Sequence, residues 1–278
     1  MTNYNSLEDF LISSYLSVDG HVNSGVFGAT SPVKGREIEA TILFADISGF
    51  SGRTLSLSST ETLIFANNFF SWISTQALRG SSGIVDKYIG DEIMIVFSEE
   101  FGSDNPFIEA IETARYISEF DVLGYVPHMG IASGIVTIGY VGTPIKYSCS
   151  VYGAPVTLAA RCANIKQIPP DVNTSYSSSI FFPAAEWKDR EFNSVFSPRK
   201  DRFPDGTIEE TPHSWKKLNP RTEHLKNIGD VEILEIINGR VRFLSQSAEE
   251  RAKESLRSLA EIGRYWPRMN NVQKGDIL

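Results

Sequence analysis

The sequence predicts an α+β protein: a ferredoxin-like βαββαβ core with helices laid on an antiparallel sheet, plus a C-terminal extension. Three observations carry that reading. Short apolar, β-prone runs alternate with stretches of helical periodicity. Two of those runs, Gly83 to Tyr88 and Glu92 to Phe97, are separated only by Ile89-Gly90-Asp91, the spacing of a hairpin with a carboxylate at its bend. The order strand, helix, hairpin, helix, strand is that of helices packed on one face of an antiparallel sheet.

Each element has its own signal. Residues 6–16 pattern as a short amphipathic helix, and His21 to Lys34, punctuated by Gly and Pro, as an arm, so that 1–35 form an N-terminal helix and arm. Ile38 to Ile47 (IEATILFADI) is mostly apolar and β-prone, as expected of a strand buried on both faces. Ser58 or Ser59 offers an N-cap to a helix that carries Leu63, Phe65, Phe69, Phe70 and Trp72 into a core. After the hairpin, a second helix spans 105–120, His128 to Ser133 and Ile135 to Val141 read as strands, and Ala154 to Ile165 as a helix. From Pro169 to about Pro220 the chain turns polar and proline-punctuated, an elaborated connection rather than a second core. Val231–Ile237 and Val241–Leu244 flank Asn238-Gly239, a two-residue hairpin signal. A last helix, Ser247 to Arg264, has Glu249 and Glu250 in its first turn and basic residues later, which suits the helix dipole. One domain, 36–245 with an irregular insertion at about 169–220, thus holds most of the chain, and 246–278 form a C-terminal helix and tail.

Composition narrows the chemistry. The 278 residues are 41% hydrophobic and carry a formal charge of −8, so neither nucleic acid nor an anionic membrane is an expected partner. Phosphate, if bound, must be held locally by a metal or a few placed cations. The N-terminus has acids inside its apolar stretch and lacks the form of a signal peptide, and no run of about eighteen apolar residues occurs. The expectation is a soluble, cytoplasmic protein whose two cysteines, Cys149 and Cys162, stay reduced as small buried residues. The four histidines, 21, 128, 213 and 224, lack metal-ligand spacing.

Two aspartates stand out. In FADISGF, Asp46 ends a buried strand and is followed by Ser48-Gly49, which permits a tight turn; in KYIGDEIMIVF, Asp91 sits at the hairpin bend after Gly90. Adjacent strands lie about 5 Å apart, so two such carboxylates can converge on one or two divalent cations. Two Mg²⁺ or Mn²⁺ ions would lower the pKa of a ribose hydroxyl and neutralise a leaving pyrophosphate.

FADISGFS, KYIGDEIMIVF, GIASGIVTIGYVG and VYGAPVTLAARCANI, in that order, resemble the class III adenylate and guanylate cyclase catalytic domain over about Glu37 to Lys166, with a weaker echo in LKNIGDVEILEI at 225–236. The resemblance implies a head-to-tail homodimer with composite sites that closes a nucleoside triphosphate into a 3′,5′-cyclic nucleotide and releases pyrophosphate. It implies that Asp46, Asp91 and the Ile47 carbonyl hold the metals, that Lys87 and Ser150 meet the base, and that Arg161 stabilises charge on the reacting phosphate, a role its fixed cation suits. Thr157 stands where the family has a ribose-orienting asparagine, a departure that shortens the reach. Lys226 matches a triphosphate cation, and Phe50 follows the metal turn, where it can shape the pocket floor.

The base pair departs as well. Lys87 only donates, so it requires an acceptor on the base and disfavours guanine's N1–H edge, while Ser150 lacks the charged acceptor that selects adenine's amino group. The domain is similar in these respects to the pyrimidine cyclases of Pycsar anti-phage systems, which make cyclic UMP or cyclic CMP for a separate effector. UTP is favoured over CTP because a lysine and a hydroxyl together can donate to uracil carbonyls. The competing readings are an adenylate cyclase, in which Ser150 accepts from the adenine amino group, and a silent cyclase-fold module that only dimerises and binds nucleotide. A diguanylate cyclase would want a Gly-Gly-(Asp/Glu)-Glu-Phe-like bend where Ile89-Gly90-Asp91-Glu92-Ile93 stands.

Overall fold

The computed structural model describes residues 4–16, 35–121, 123–143, 146–167, 176–188, 190–197, 199–202, 206–211, 214–239 and 247–263. The expected arm at 21–34 and the strand expected at Val241–Leu244 lie outside them, as do His21 and His213.

Helix α1 (Leu7–Ser13) starts at Ser6, whose Oγ accepts from the Asp9 N–H. Strand β1 (Gly35–Ile47) leads through a short turn into α2 (Phe50–Thr54) and then α3 (Ser59–Trp72), which opens with a reciprocal capping box between Ser58 and Glu61. The hairpin β2 (Ile84–Ile89) and β3 (Glu92–Phe97) is followed by α4 (Pro106–Glu119), capped by Asn105. Then come β4 (Pro127–Thr143), β5 (Lys146–Tyr152), α5 (Ala154–Ala163), β6 (Tyr176–Pro183), and two single-turn helices, α6 (Ala184–Trp187) and α7 (Phe192–Val195). A small hairpin, β7 (Arg199–Arg202) and β8 (Ile208–Thr211), precedes β9 (Trp215–Lys217), β10 (Arg221–Leu225), β11 (Gly229–Gly239) and α8 (Ala248–Glu261).

The main sheet runs β10-β11-β6-β4-β1-β3-β2, with β5 paired to β4 and β9 to β11. Among the described residues every pairing is antiparallel except β4 with β6. Helices cover both faces rather than one. Leu43, Ala45 and Ile47 of β1 share a core with α3, α4 and α8, whereas Ile38, Ile42 and Phe44 share one with α1 and α5. The physical reason is already in β1, where Ala40 to Ala45 are buried on both faces.

Other expectations need correction. In α3 the buried stripe is Ile64, Phe65, Asn68, Phe69 and Trp72; Leu63 is exposed and Phe70 half-buried, because the helical period turns them outward. The two strands expected at His128–Ser133 and Ile135–Val141 are one, β4, continuous through Gly134. Within the segment read as irregular, β6 is an interior strand with Ile180, Phe181 and Phe182 fully buried; serines and prolines around it mask the signal. Asn238-Gly239 is not a turn. Asn238 is buried opposite Ser178, and its amide donates to Ser118 Oγ at 2.7 Å. The turn between β10 and β11 lies instead at Lys226–Ile228, where Asn227 takes a positive φ of 65°. No helix among the described residues is long and apolar enough to cross a membrane.

Helix α8 returns from the end of the domain to pack on α2 and α3. Ala252, Leu256 and Leu259 are buried there, and Ser255 Oγ donates to the Leu123 carbonyl.

Candidate active site

Asp46 is the penultimate residue of β1, on the same face as Ile42 and Phe44 and therefore facing the α5 side of the sheet. Its register partners are Glu92 on β3 and His128 on β4. Gly49 (φ 66°) turns the chain sharply after it, and Gly90 (φ 63°) does the same before Asp91. The carboxyls of Asp46 and Asp91 hydrogen-bond to one another. Burial, that hydrogen bond and the charges of Asp91 and Glu92 push Asp46 up to about 8, against the opposing hydrogen bond of the Ile47 backbone. Burial also raises Glu92, opposed by a hydrogen bond from Asn164 Nδ2 at 3.3 Å.

Two adjacent carboxyls at one place are an arrangement that a bound cation would stabilise. Opposite Ile47 stands Pro127, which has no N–H, so the β-ladder cannot claim the Ile47 carbonyl from that side. Among the described residues no cluster of three or more His, Cys, Asp or Glu forms a self-sufficient metal cage. The donor set of two carboxylates and a carbonyl fits Mg²⁺ or Mn²⁺, hard cations that complete their shells with substrate phosphates and water.

Lys87 and Ser150, distant in sequence, meet in space: Lys87 Nζ donates to Ser150 Oγ. Between them lies a third residue that the sequence reading passed over. Ser150 Oγ donates to Asp86 Oδ2 at 2.9 Å, and Lys87 Nζ lies 3.2 Å from the same oxygen. The Asp86 side chain is 0% exposed while that of Lys87 is 35% exposed, so the lysine presents a face outward from a buried carboxylate. Burial raises the Asp86 pKa, opposed first by the Lys87 charge and then by its hydrogen bonds. The Tyr152 ring lies 5.5 Å from Lys87 Nζ. The only sequence signal for Asp86 was its adjacency to Lys87.

Helix α5 carries Thr157 and Arg161 one turn apart on its outer face. The helix seats on β4 at Gly130, where a Cβ would fall 2.1 Å from the Ala159 carbonyl oxygen. Arg161 and Lys226 line one cavity of about 400 Å³ together with Asn164, Lys166 and His224. Sequence spacing gave no hint of that meeting, which β10 and β11 create by folding back beside α5. Among the described residues neither Arg161 nor Lys226 has a hydrogen-bond or ion-pair partner, whereas His224 pairs with Asp230 at 2.7 Å.

Phe50 is placed elsewhere: it stacks on Phe65 at 6.3 Å in the core of the opposite face, apart from Lys87 and Ser150. A larger cavity, about 820 Å³, opens toward the other end of β1 beside Glu39 and Thr41 and holds none of these residues. The thiols of Cys149 and Cys162 are both pushed up to about 12 by burial, which leaves neither as a nucleophile.

No family model matches the chain. Over 140 residues it is 29% identical to an uncharacterized protein of Mycobacterium tuberculosis, covering 49% of this chain and 24% of that protein. Over 129 residues it is 29% identical to the terminal-differentiation specific adenylate cyclase of Dictyostelium discoideum, covering 44% of this chain and 6% of that enzyme. The chain thus spans about a quarter or less of the length of these relatives. Among solved structures it is similar to the adenylyl cyclase CyaB from P. aeruginosa (TM-score 0.52, 16% identity, 75% of this chain and 98% of that one). It is also similar to a bacterial light-regulated adenylyl cyclase (0.51, 22%, 80% and 57%) and to the guanylate cyclase domain of RhGC from Catenaria anguillulae in complex with GTP (0.51, 15%, 74% and 100%). The chain has the fold of the class III adenylyl and guanylyl cyclase catalytic domain.

Proposed function

We propose that this protein is a nucleotide cyclase that converts a nucleoside triphosphate to its 3′,5′-cyclic monophosphate and pyrophosphate. The observation that carries the reading is the convergence of Asp46 and Asp91 at one strand edge, on a fold shared with adenylyl and guanylyl cyclases. Divalent ions held by Asp46, Asp91 and the Ile47 carbonyl would supply acidification of the ribose hydroxyl and neutralisation of the triphosphate. Arg161 stabilises charge on the reacting phosphate, Lys226 holds the phosphate chain, Thr157 orients the ribose, and Lys87 reads the base.

A second copy of the chain completes the site. Supporting this, Tyr88, Ile89, Val141, Tyr147 and Tyr152 leave apolar surface exposed on the β2–β3 and β4–β5 hairpins, on either side of Lys87.

For the base, a pyrimidine is the proposed substrate, UTP before CTP, with the product acting on a separate effector in anti-phage defence. Support comes from Ser150, which lacks the charged acceptor that selects adenine's amino group, and from Thr157, which departs from the family's ribose-orienting asparagine. The argument that both Lys87 and Ser150 donate to uracil is weakened, because the Ser150 hydrogen goes to Asp86. Lys87 remains the donor, and uracil offers it a carbonyl at both O2 and O4, whereas cytosine accepts at O2 and N3 but presents a donor amino group at C4. Adenylate cyclase is the second reading, favoured by the carboxylate of Asp86 behind the lysine.

The deciding experiment is incubation with ATP, GTP, CTP and UTP together in Mn²⁺ or Mg²⁺, with cyclic products identified by mass spectrometry. A cyclic UMP or cyclic CMP peak supports the pyrimidine reading and a cyclic AMP peak the second; no cyclic product from a folded dimer would overturn both.

A further inference from the structure

Asp86 lies at a β-bulge. In the β2–β3 ladder Val85 faces Ile95 and Lys87 faces Met94, so Asp86 is the extra residue with no place of its own. In a regular strand Asp86 and Lys87 would point to opposite faces. The bulge lets these consecutive side chains converge on one hydroxyl, that of Ser150 on β5. The result is a three-membered polar group, a buried carboxylate behind and an ammonium in front, joined both directly and through the serine.

We infer that Asp86 is a positioning residue for base recognition, aiming Lys87 at the nucleobase and fixing the direction of the Ser150 hydroxyl. This rests on the cyclase reading above, since it assigns Lys87 to the base. The physical content is twofold. Lysine is a flexible point charge with three rotatable donors and no inherent direction. Tethered to Asp86 and Ser150, it keeps one donor free, with a fixed direction, which turns a general cation into a group that recognises an acceptor at one place. Ser150, its hydrogen spent on Asp86, offers the base no donor. The residue at position 150 therefore contributes to selectivity through its partner rather than by its own polarity, and a carboxylate displaced to position 86 does the ordering.

Removing the carboxylate should release both constraints. In Asp86→Asn the amide, like the aspartate, can accept from Ser150 or Lys87, but it bears no charge to hold the ammonium and brings donors of its own. The test is steady-state kinetics of the unaltered protein and of Asp86→Asn and Ser150→Ala with each of the four triphosphates in Mn²⁺, with thermal midpoints measured alongside. Expected for Asp86→Asn is a KM for the preferred triphosphate raised about tenfold or more, kcat changed less than threefold, and the preference over the other triphosphates reduced about tenfold. Ser150→Ala, which removes the bridge without leaving a new buried charge, should move selectivity in the same direction and serves if the first variant fails to fold. Selectivity unchanged in both folded variants, or kcat lost at unchanged KM, overturns the inference while leaving the cyclase reading in place. A wild-type protein that makes no cyclic product fails the underlying reading instead. In that case equilibrium binding of a labelled non-cyclisable triphosphate still judges Asp86: equal affinities in wild type and Asp86→Asn overturn the inference.

Discussion

The carboxyl of Asp46 hydrogen-bonds to that of Asp91, and burial together with this neighbour pushes Asp46 up to about 8, so it keeps its proton at neutral pH. A divalent cation must displace that proton, so Mn²⁺ binding at pH 7 should release close to one proton per site. Titration calorimetry in two buffers of different ionisation enthalpy measures it; a buffer-independent enthalpy would sink the assignment. The sign for stability follows from the same shift. A carboxyl raised in the folded state stabilises the metal-free fold below its ordinary value of 3.8, and that contribution is lost as pH climbs through about 8. Melting temperature without metal should therefore fall from pH 6 to 9, and saturating Mn²⁺ should flatten the slope.

Asp46→Ala and Asp91→Ala should each abolish turnover and leave the circular dichroism spectrum unchanged, because both side chains are partly exposed at a strand edge and neither packs in a core. Wild-type turnover in either variant removes the metal-site assignment.

Arg161→Ala should lower kcat by about 2–4 kcal/mol, on the order of thirty- to a thousandfold, as other lost transition-state donors do. Among the described residues the Arg161 guanidinium beside Lys226 has no ion pair to break, so stability should hardly move. A kcat equal to wild type with only a raised KM contradicts the role.

Gly130→Ala tests the seat of α5. The added methyl would lie 2.1 Å from the Ala159 carbonyl oxygen and 2.2 Å from the Ala163 nitrogen, both backbone atoms that cannot rotate away. The helix must lift, carrying Thr157 and Arg161 with it. Overpacking of this kind costs about 1–3 kcal/mol or more, and activity should fall further than stability. Unchanged kinetics with an unchanged urea midpoint would show that α5 is not rigidly seated.

Leu256→Ala should destabilise the protein by about 2–5 kcal/mol in urea unfolding, the range for truncating a fully buried leucine. A loss below 1 kcal/mol would mean that α8 is only loosely docked.

The start of α3, β1 and the β2–β3 hairpin were legible in the sequence because each is specified locally: a capping serine at Ser58, a mostly apolar β-prone run, and Gly90 before Asp91. What escaped is long-range. Strand β6 is read as a strand only once β4 and β11 flank it, and Asn238 looks like a turn residue until Ser118 and Ser178 surround its amide. Asp46 and Asp91 were legible as a pair because strand spacing constrains them. The meeting of Arg161 with Lys226 and of Asp86 with Ser150 was not, because it depends on how β10 and β5 curl back, which no local pattern encodes.

Helix α2 follows Asp46 by three residues, yet it is braced by α8, which the ribosome translates long after it. The element that follows Asp46 is thus supported by a helix from the far end of the described residues. A product terminated before Ser247 would carry every residue of the proposed site without the helix that packs on α2 and α3.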